Sequence, residues 1–475
     1  MYRAHSADHR FRSSLTLALI LAAIALPLHA QSTLSAELRE KIDAAATEAL
    51  ARSGVPSASI AVVRDGQIAY VQAYGDARLE PRTPAQPSMR YSIGSISKQF
   101  TAAAMLLLQE QGKLSLNDKV SRFLPTLTRA SEVTIRQLLS HTSGYQDYWP
   151  QDYVPPFMLQ PISAEQIAEL WAKKPLDFEP GSKWQYSNTN FVIAGMIIEK
   201  VSGMPLLRFL QEKVFTPLHM QGGANIDQER LGDTDPIGYM RYALGPLRPA
   251  PKEGKGWLFA AGELAMPAEE LARWDLSIIN RSLLRPASYK EFGTETLLNS
   301  GIGTHYGLGV DVRMNHGHRA LSHGGEVSGF TAQNVVFPDE RAAIVVLTNQ
   351  DAAGASGDIA DAITPLLFAT ADDPATATQL EKAKRIFDGL QHGTVDPSLF
   401  TDNLRAYFST QAVQDFATGL APLGAPKEFV QTYQALRGGM TLRVYRAGFG
   451  EKALRVWTYE MPDGMLEQYQ VATAQ

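Results

Sequence analysis

Apolar residues follow two different periods along this chain, and the switches between them mark out its elements. An Ala-rich amphipathic stretch at about Leu34–Arg52 predicts a helix. "ASIAVVRDGQIAYVQAYG" follows, rich in Val, Ile and Tyr and interrupted by Arg64-Asp65-Gly66-Gln67. Such runs on either side of Asp-Gly predict a hairpin. "SKQFTAAAMLLLQEQG" then consists mostly of good helix formers and stops at Gly112. From about 113 to 275 the pattern is helical or irregular. Two helices stand out there: Ser163–Lys174, opened by a Ser163/Gln166 capping box, and "NFVIAGMIIEKVSG", closed by Gly203. Strand signals return in Tyr306–Met314, "RALSHGG", "TAQNVVFP" and Arg341–Gln350, with a turn at Pro338 and Asp339 between the last two. Strands at both ends and helices between them predict an α/β (α+β) fold. It has an antiparallel sheet built from both ends of the segment, flanked by helices and carrying a helical subdomain.

"GDIADAITPLLFA" ends this part near residue 369, so the main domain is set at 31–369. "TADDPATATQ" (370–379) is small, polar and Pro-containing, and is expected to be a linker. Beyond it, helical patterns up to about Leu420 give way to four strand-like runs separated by Gly438-Gly439, Gly448-Phe449-Gly450 and Pro462-Asp463-Gly464. Residues 380–475 therefore read as a small C-terminal α+β domain, one in which no functional motif is recognisable.

Composition narrows the class. The chain has 475 residues, a net charge of −5 and no basic stripe, so nucleic acid is not an expected partner. Residues 1–30 run from arginines through the apolar Leu15–Leu28 to a small residue at Ala30. That order predicts a signal peptide cut after Ala30 and a periplasmic or secreted protein, and the apolar run is too short for a membrane span. The absence of cysteine excludes thiol nucleophiles, thiolate metal sites and disulfides.

No serine lies in a Gly-x-Ser-x-Gly elbow, but Ser95 and Lys98 form the chain's one Ser-x-x-Lys, at the predicted helix start. Positions i and i+3 share a helix face, so the amine can reach the hydroxyl. Unpaired N–H groups at a helix start favour a developing anion. Ser95 as a simple helix cap is the competing reading. Tyr186 and Asn188 form the one Tyr-x-Asn, on a loop ahead of a helix, where a nearby ammonium would lower the phenol's pKa. His323-Gly324-Gly325 lies in a strand-like stretch whose glycines admit close approach. His141 reads as a turn or helix-end residue. His316, His318 and His323 have no carboxylate close by in their segment and suggest a hairpin tip rather than a metal site. The aromatic run Tyr145–Phe157 fits a cleft wall and a surface loop equally well.

Ser-x-x-Lys, Tyr-x-Asn and His-x-Gly in this order, with flanks "TIRQLLSHTSG", "PGSKWQYSNTN" and "VVFPDERAAIVVLTNQ", resemble the class C β-lactamase-like serine hydrolases over roughly residues 34–367. That group takes in β-lactamases, D,D-peptidases, D-aminopeptidases and esterases. The resemblance implies a β-lactamase/transpeptidase-like fold and an acyl-enzyme on Ser95, with Lys98 and Tyr186 as general acid–base. Asn188 would orient substrate and Lys98. His323 would hold the third-motif position, and the strand of Gly325 and Glu326 would border the oxyanion hole, formed by the N–H groups of Ser95 and Glu326. A small-molecule or peptide substrate and no cofactor are implied. The family's β-lactamases usually carry Lys-Thr-Gly where this chain has His323-Gly324-Gly325. A neutral His and a missing hydroxyl hold a substrate carboxylate poorly. The expectation is therefore an esterase or peptidase, with a D-amino-acid peptidase, a weak β-lactamase or a non-catalytic binding protein as alternatives.

Overall fold

Strand pairing explains why strand signals sit at both ends of the main segment. The computed structural model describes residues 34–149, 154–368, 374–437, 439–450 and 452–473. The expected signal segment and its cleavage point lie outside them. A seven-stranded antiparallel sheet runs in the order Arg82–Pro84, Gln67–Leu79, Ser57–Arg64, Ala342–Thr348, Phe330–Phe337, His318–Val327, Asp311–Asn315. Its centre joins the two ends, with Ala58 opposite Thr348 and Val63 opposite Ala343. The Asp65-Gly66 turn has both residues at positive φ (54° and 73°), the conformation that matches strand twist in a two-residue hairpin.

The central strands are buried on both faces. Ile60, Val62, Ile344 and Val346 pack against the helices Ala36–Ser53 and Ala355–Phe368 through Ile42, Ile359 and Ile363. Ala61, Val63, Val345 and Leu347 face the other way, toward Phe100 and Trp274. Two buried faces account for continuous rather than alternating apolar runs. Each fully buried Ile or Leu contributes roughly 1.5–3 kcal/mol. The helical lobe between residues 93 and 305 covers that second face, as expected. It includes the capping box Ser163/Gln166 and the helix Asn188–Ser202, which ends at left-handed Gly203. Among the described residues no single helix is long and apolar enough to cross a membrane.

Three helices (Pro374–Gln391, Asp402–Tyr407 and Thr410–Leu420) and a four-stranded meander make up the C-terminal part. Phe387, Leu390, Phe400, Tyr445, Val456 and Tyr469 form its own core. The expected linker 370–379 needs correction. Residues 370–373 lie outside the described set, but Pro374 opens an 18-residue helix. Proline's fixed φ suits a first helical turn, and the alanines that follow favour a helix.

Candidate active site

Ser95 sits in a single 3₁₀ turn, Gly94–Ile96, which feeds the helix Ser97–Glu110. The turn is fixed from both sides. Ile93 N–H donates to Leu264 O at 3.0 Å, and Leu264 N–H donates to Ser97 Oγ at 3.1 Å. One residue beyond Lys98, Gln99 Nε2 donates to Asn334 Oδ1 at 3.0 Å. Asn334 Nδ2 in turn donates to both oxygens of buried Asp275 at 2.9 Å. Trp274 Nε1 closes this polar chain on Gln99 Oε1 at 2.8 Å, tying the helix that follows Ser95 to the sheet. Ser95 is not the helix cap. Ile96 holds that position, and no side chain caps there.

One helical turn from Ser95, Lys98 Nζ donates to three oxygens: Ser95 Oγ at 2.9 Å, Asn188 Oδ1 at 2.7 Å and Ala261 O at 2.7 Å. Lys98 is fully buried, and burial pushes its ammonium down to about 7, against a smaller upward pull from Asp147. Tyr186 is hydrogen-bonded to Ser95, and its ring lies 5.0 Å from Lys98 Nζ. Its phenol runs opposite to expectation. Burial pushes it well up, and the charges of Asp147 and Asp311 add to that. A phenolate has little solvent to stabilise it here, since Tyr186 is mostly buried against the cleft wall, and the expected ammonium is itself weakened by burial. At neutral pH Tyr186 is a proton donor.

Asn188 is the first residue of the helix Asn188–Ser202, so Tyr186 lies on the approach to it. His141 follows the short helix Ile135–Leu139, at φ 56°. It does more than turn the chain. Its ring lies 4.3 Å from that of Tyr186, and its Nδ1 accepts the Ser187 N–H at 3.2 Å. His323 is buried and pushed down to about 4, first by burial and then by the Lys98 charge. Its Nδ1–H donates to Gly324 O at 2.5 Å, since a carbonyl can only accept, and its Nε2 therefore accepts the Tyr306 hydroxyl at 2.9 Å. The ring is neutral, and neither nitrogen is left for a substrate carboxylate. His316 is at a hairpin tip, while His318 pairs with Glu340 at 2.6 Å and stacks on Phe368, so the three histidines go to different places.

Gly325 and Glu326 bring the edge of the strand His318–Val327 against the Ser95 turn. A side chain on Gly325 would collide with Ile93 O, and one on Gly94 would come 2.6 Å from Glu326 N. Val327 and Phe330 close a two-residue hairpin and exchange hydrogen bonds. Glu326, opposite Thr331, is then a non-bonded pair whose N–H faces away from the partner strand, toward the Ser95 turn. Ser95, Tyr186, Asn188, His323, Gly325 and Glu326 thus border one 590 Å³ cleft. Asp147, Tyr148, Trp149 and Val154 of the aromatic run line it too, while Pro150–Tyr153 lie outside the described residues. Asp147 and the Ala261 carbonyl carry no motif and were not found by sequence reasoning.

This arrangement pairs a hydroxyl with a buried amine of lowered basicity, a protonated phenol and backbone donors, which are the parts an acyl transfer requires. The chain is also similar to known proteins. The D-aminopeptidase of Brucella anthropi is 29% identical over 318 residues, 65% of this chain and 60% of that protein's length. A D-stereospecific amidohydrolase from Streptomyces sp. superposes with a TM-score of 0.60 at 28% identity, over 69% of this chain and 99% of the other. The octameric penicillin-binding protein homologue from Pyrococcus abyssi matches in fold, with a TM-score of 0.62 at 22% identity over 92% of this chain and 96% of the other. The beta-lactamase family model matches residues 42–365, more than half of the chain, and the chain belongs to that family.

Proposed function

We propose that this protein is an exported serine hydrolase that cleaves an amide or ester through an acyl-enzyme on Ser95. The observation that carries the reading is the fully buried Lys98 amine, 2.9 Å from Ser95 Oγ with its pKa brought down to about 7. Neutral Lys98 takes the Ser95 proton as Oγ bonds to the substrate carbonyl carbon. The N–H groups of Ser95 and Glu326 hold the resulting oxyanion. The bond to the leaving amine or alkoxide breaks as that group takes a proton from Tyr186, which regains one from Lys98. Water then attacks the ester by the same route, releasing the acid and restoring Ser95.

Charge in the cleft bears on the substrate. Asp147, Glu326 and Asp351 face it, and among its described lining residues there is no lysine or arginine. Substrates with a carboxylate beside the scissile bond meet repulsion and no partner, whereas a nearby ammonium is favoured. The name of the D-aminopeptidase points the same way. Fluorophosphonate labelling of the mature protein tests the reading: label is expected on the native chain and absent from Ser95→Ala. Label retained by that variant refutes the nucleophile. A panel of p-nitrophenyl esters, amino-acid p-nitroanilides and nitrocefin ranks the substrates, and fast nitrocefin turnover contradicts the disfavoured carboxylate.

A further inference from the structure

A neutral lysine amine has two hydrogens and one lone pair, and Lys98 has three oxygens around it. The Ala261 carbonyl can only accept, so it takes one hydrogen. Asn188 decides the rest, because an amide side chain can present either its oxygen or its nitrogen. With oxygen inward, the second hydrogen goes to Asn188 and the lone pair is left facing the Ser95 hydroxyl. With nitrogen inward, Asn188 donates to the lone pair, and Lys98 cannot receive the serine proton.

Asp147 makes that choice. Its Oδ1 accepts the backbone N–H of Asn188 at 2.9 Å and that of Trp149 at 3.1 Å. Asn188 Nδ2 lies 3.3 Å from each of its two oxygens. A carboxylate only accepts, so Nδ2 is held toward Asp147 and Oδ1 is turned to Lys98, 2.7 Å away. The neighbouring Tyr148 hydroxyl is anchored on the Trp257 carbonyl, which fixes this part of the loop. We infer that Asp147 is a positioning residue of the acylation step: acting through Asn188, it aims the Lys98 lone pair at Ser95. The inference rests on the reading of Ser95 and Lys98 as nucleophile and base.

Charge gives the test a direction. Asp147 pulls the Lys98 pKa upward against burial. Burial raises the pKa of Asp147 itself, against the pull of the Trp149 and Asn188 N–H groups and the Lys98 charge. The other titratable groups around the pair are the Tyr148 and Tyr186 phenols, pushed up mainly by burial, and the His141 and His323 imidazoles, pushed down mainly by burial, all four neutral near pH 7. Removing the carboxylate charge therefore lowers the Lys98 pKa and moves the acid limb of the acylation rate to lower pH. A loss of packing alone leaves that limb in place.

The experiment compares wild type, Asp147→Asn, Asn188→Ala and the double variant, with Asp147→Ala as a second test of the same site. Acylation by a p-nitrophenyl ester is followed from pH 5 to 9, with thermal melting as the check on folding. Asp147→Asn is expected to lower kcat by about 10-fold or more, less than loss of a general base. KM should change by less than about threefold, as for an interaction made in the transition state. The acid limb should move down. In the Asn188→Ala background the same change should add less than about twofold, because the coupling runs through Asn188. Wild-type rate and limb in both Asp147 variants, or multiplicative effects in the double variant, would overturn the inference. A wild-type chain that takes no label at Ser95 instead counts against the nucleophile reading beneath it.

Discussion

Lys98 Nζ lies 2.9 Å from Ser95 Oγ at the end of a side chain that has no contact with solvent. Burial removes the stabilisation of the ammonium, which is why its pKa falls to about 7. A base works deprotonated, so acylation should rise with pH through about 7 and then level off. His323, at about 4, adds no limb in that range. Lys98→Arg keeps charge and reach but stays protonated, and should cost about 10²- to 10⁴-fold in acylation. Stopped-flow ester acylation between pH 5 and 9 checks both points, and a profile flat across pH 7 would count against Lys98 as the base.

Two adjacent glycines should behave differently. Gly325→Ala drives a methyl into the Ile93 carbonyl, so the strand edge must back away from the nucleophile turn. Loss of one oxyanion donor costs about 10²–10³ in kcat, and a loss approaching that is expected. At Gly324 a Cβ would sit 3.5 Å from its nearest neighbour, an ordinary contact. Gly324→Ala should stay within about threefold of wild type. Steady-state kinetics with one ester substrate separates the two.

Burial raises the Asp351 pKa, and the charge of Glu326 lies close enough to add to the rise. Each also accepts one backbone N–H, from Ala352 and Gly329. If they favour ammonium-bearing substrates, Glu326→Gln/Asp351→Asn should raise KM for an amino-acid ester with a free amine and leave that of its N-acetyl form within about twofold. Equal changes for both substrates would remove the charge argument. Raising the salt concentration should narrow the wild-type preference, because the rim is partly exposed.

Glu263 offers a stability test apart from the chemistry. It is buried, accepts one bond from Asn225 Nδ2 at 2.8 Å, and burial raises its pKa from 4.5 to about 8. The folded state therefore holds this proton more tightly than the unfolded state. Its contribution to stability is full below pH 4.5 and is lost as pH rises through 8. Glu263→Gln removes the titration. It should melt close to wild type at pH 5 and at higher temperature at pH 9, where its stability exceeds that of wild type by on the order of a few kcal/mol. Equal melting temperatures of the two proteins at both pH values would contradict this.

The elements were legible where local chemistry dominates: the Asp65-Gly66 hairpin, the Ser163/Gln166 box and the four C-terminal strands all come from turn residues and apolar period. The linker was misread because Asp, Thr and Pro resemble a breaker until Pro374 is seen at a first helical turn. The three motifs mark Ser95, Lys98, Tyr186, Asn188 and His323, but they say nothing of the surroundings. The direction of the Tyr186 shift depends on burial and on two aspartates far away in sequence. Asp147 and Ala261 O act through a single side-chain contact and a main-chain oxygen, and neither has a sequence period or a motif.

The pairing of Ser57–Arg64 with Ala342–Thr348 places the first and last strands of the main part side by side at the centre of its sheet. Closing so long a loop is slow, since its entropy is lost before the contacts form. During synthesis Ser95 emerges more than two hundred residues ahead of Glu326, so the nucleophile has no oxyanion donor from that strand until the sheet closes. On the proposed mechanism, activity waits on topology: a half-made chain carries the serine and its lysine but has nowhere to put the charge they create.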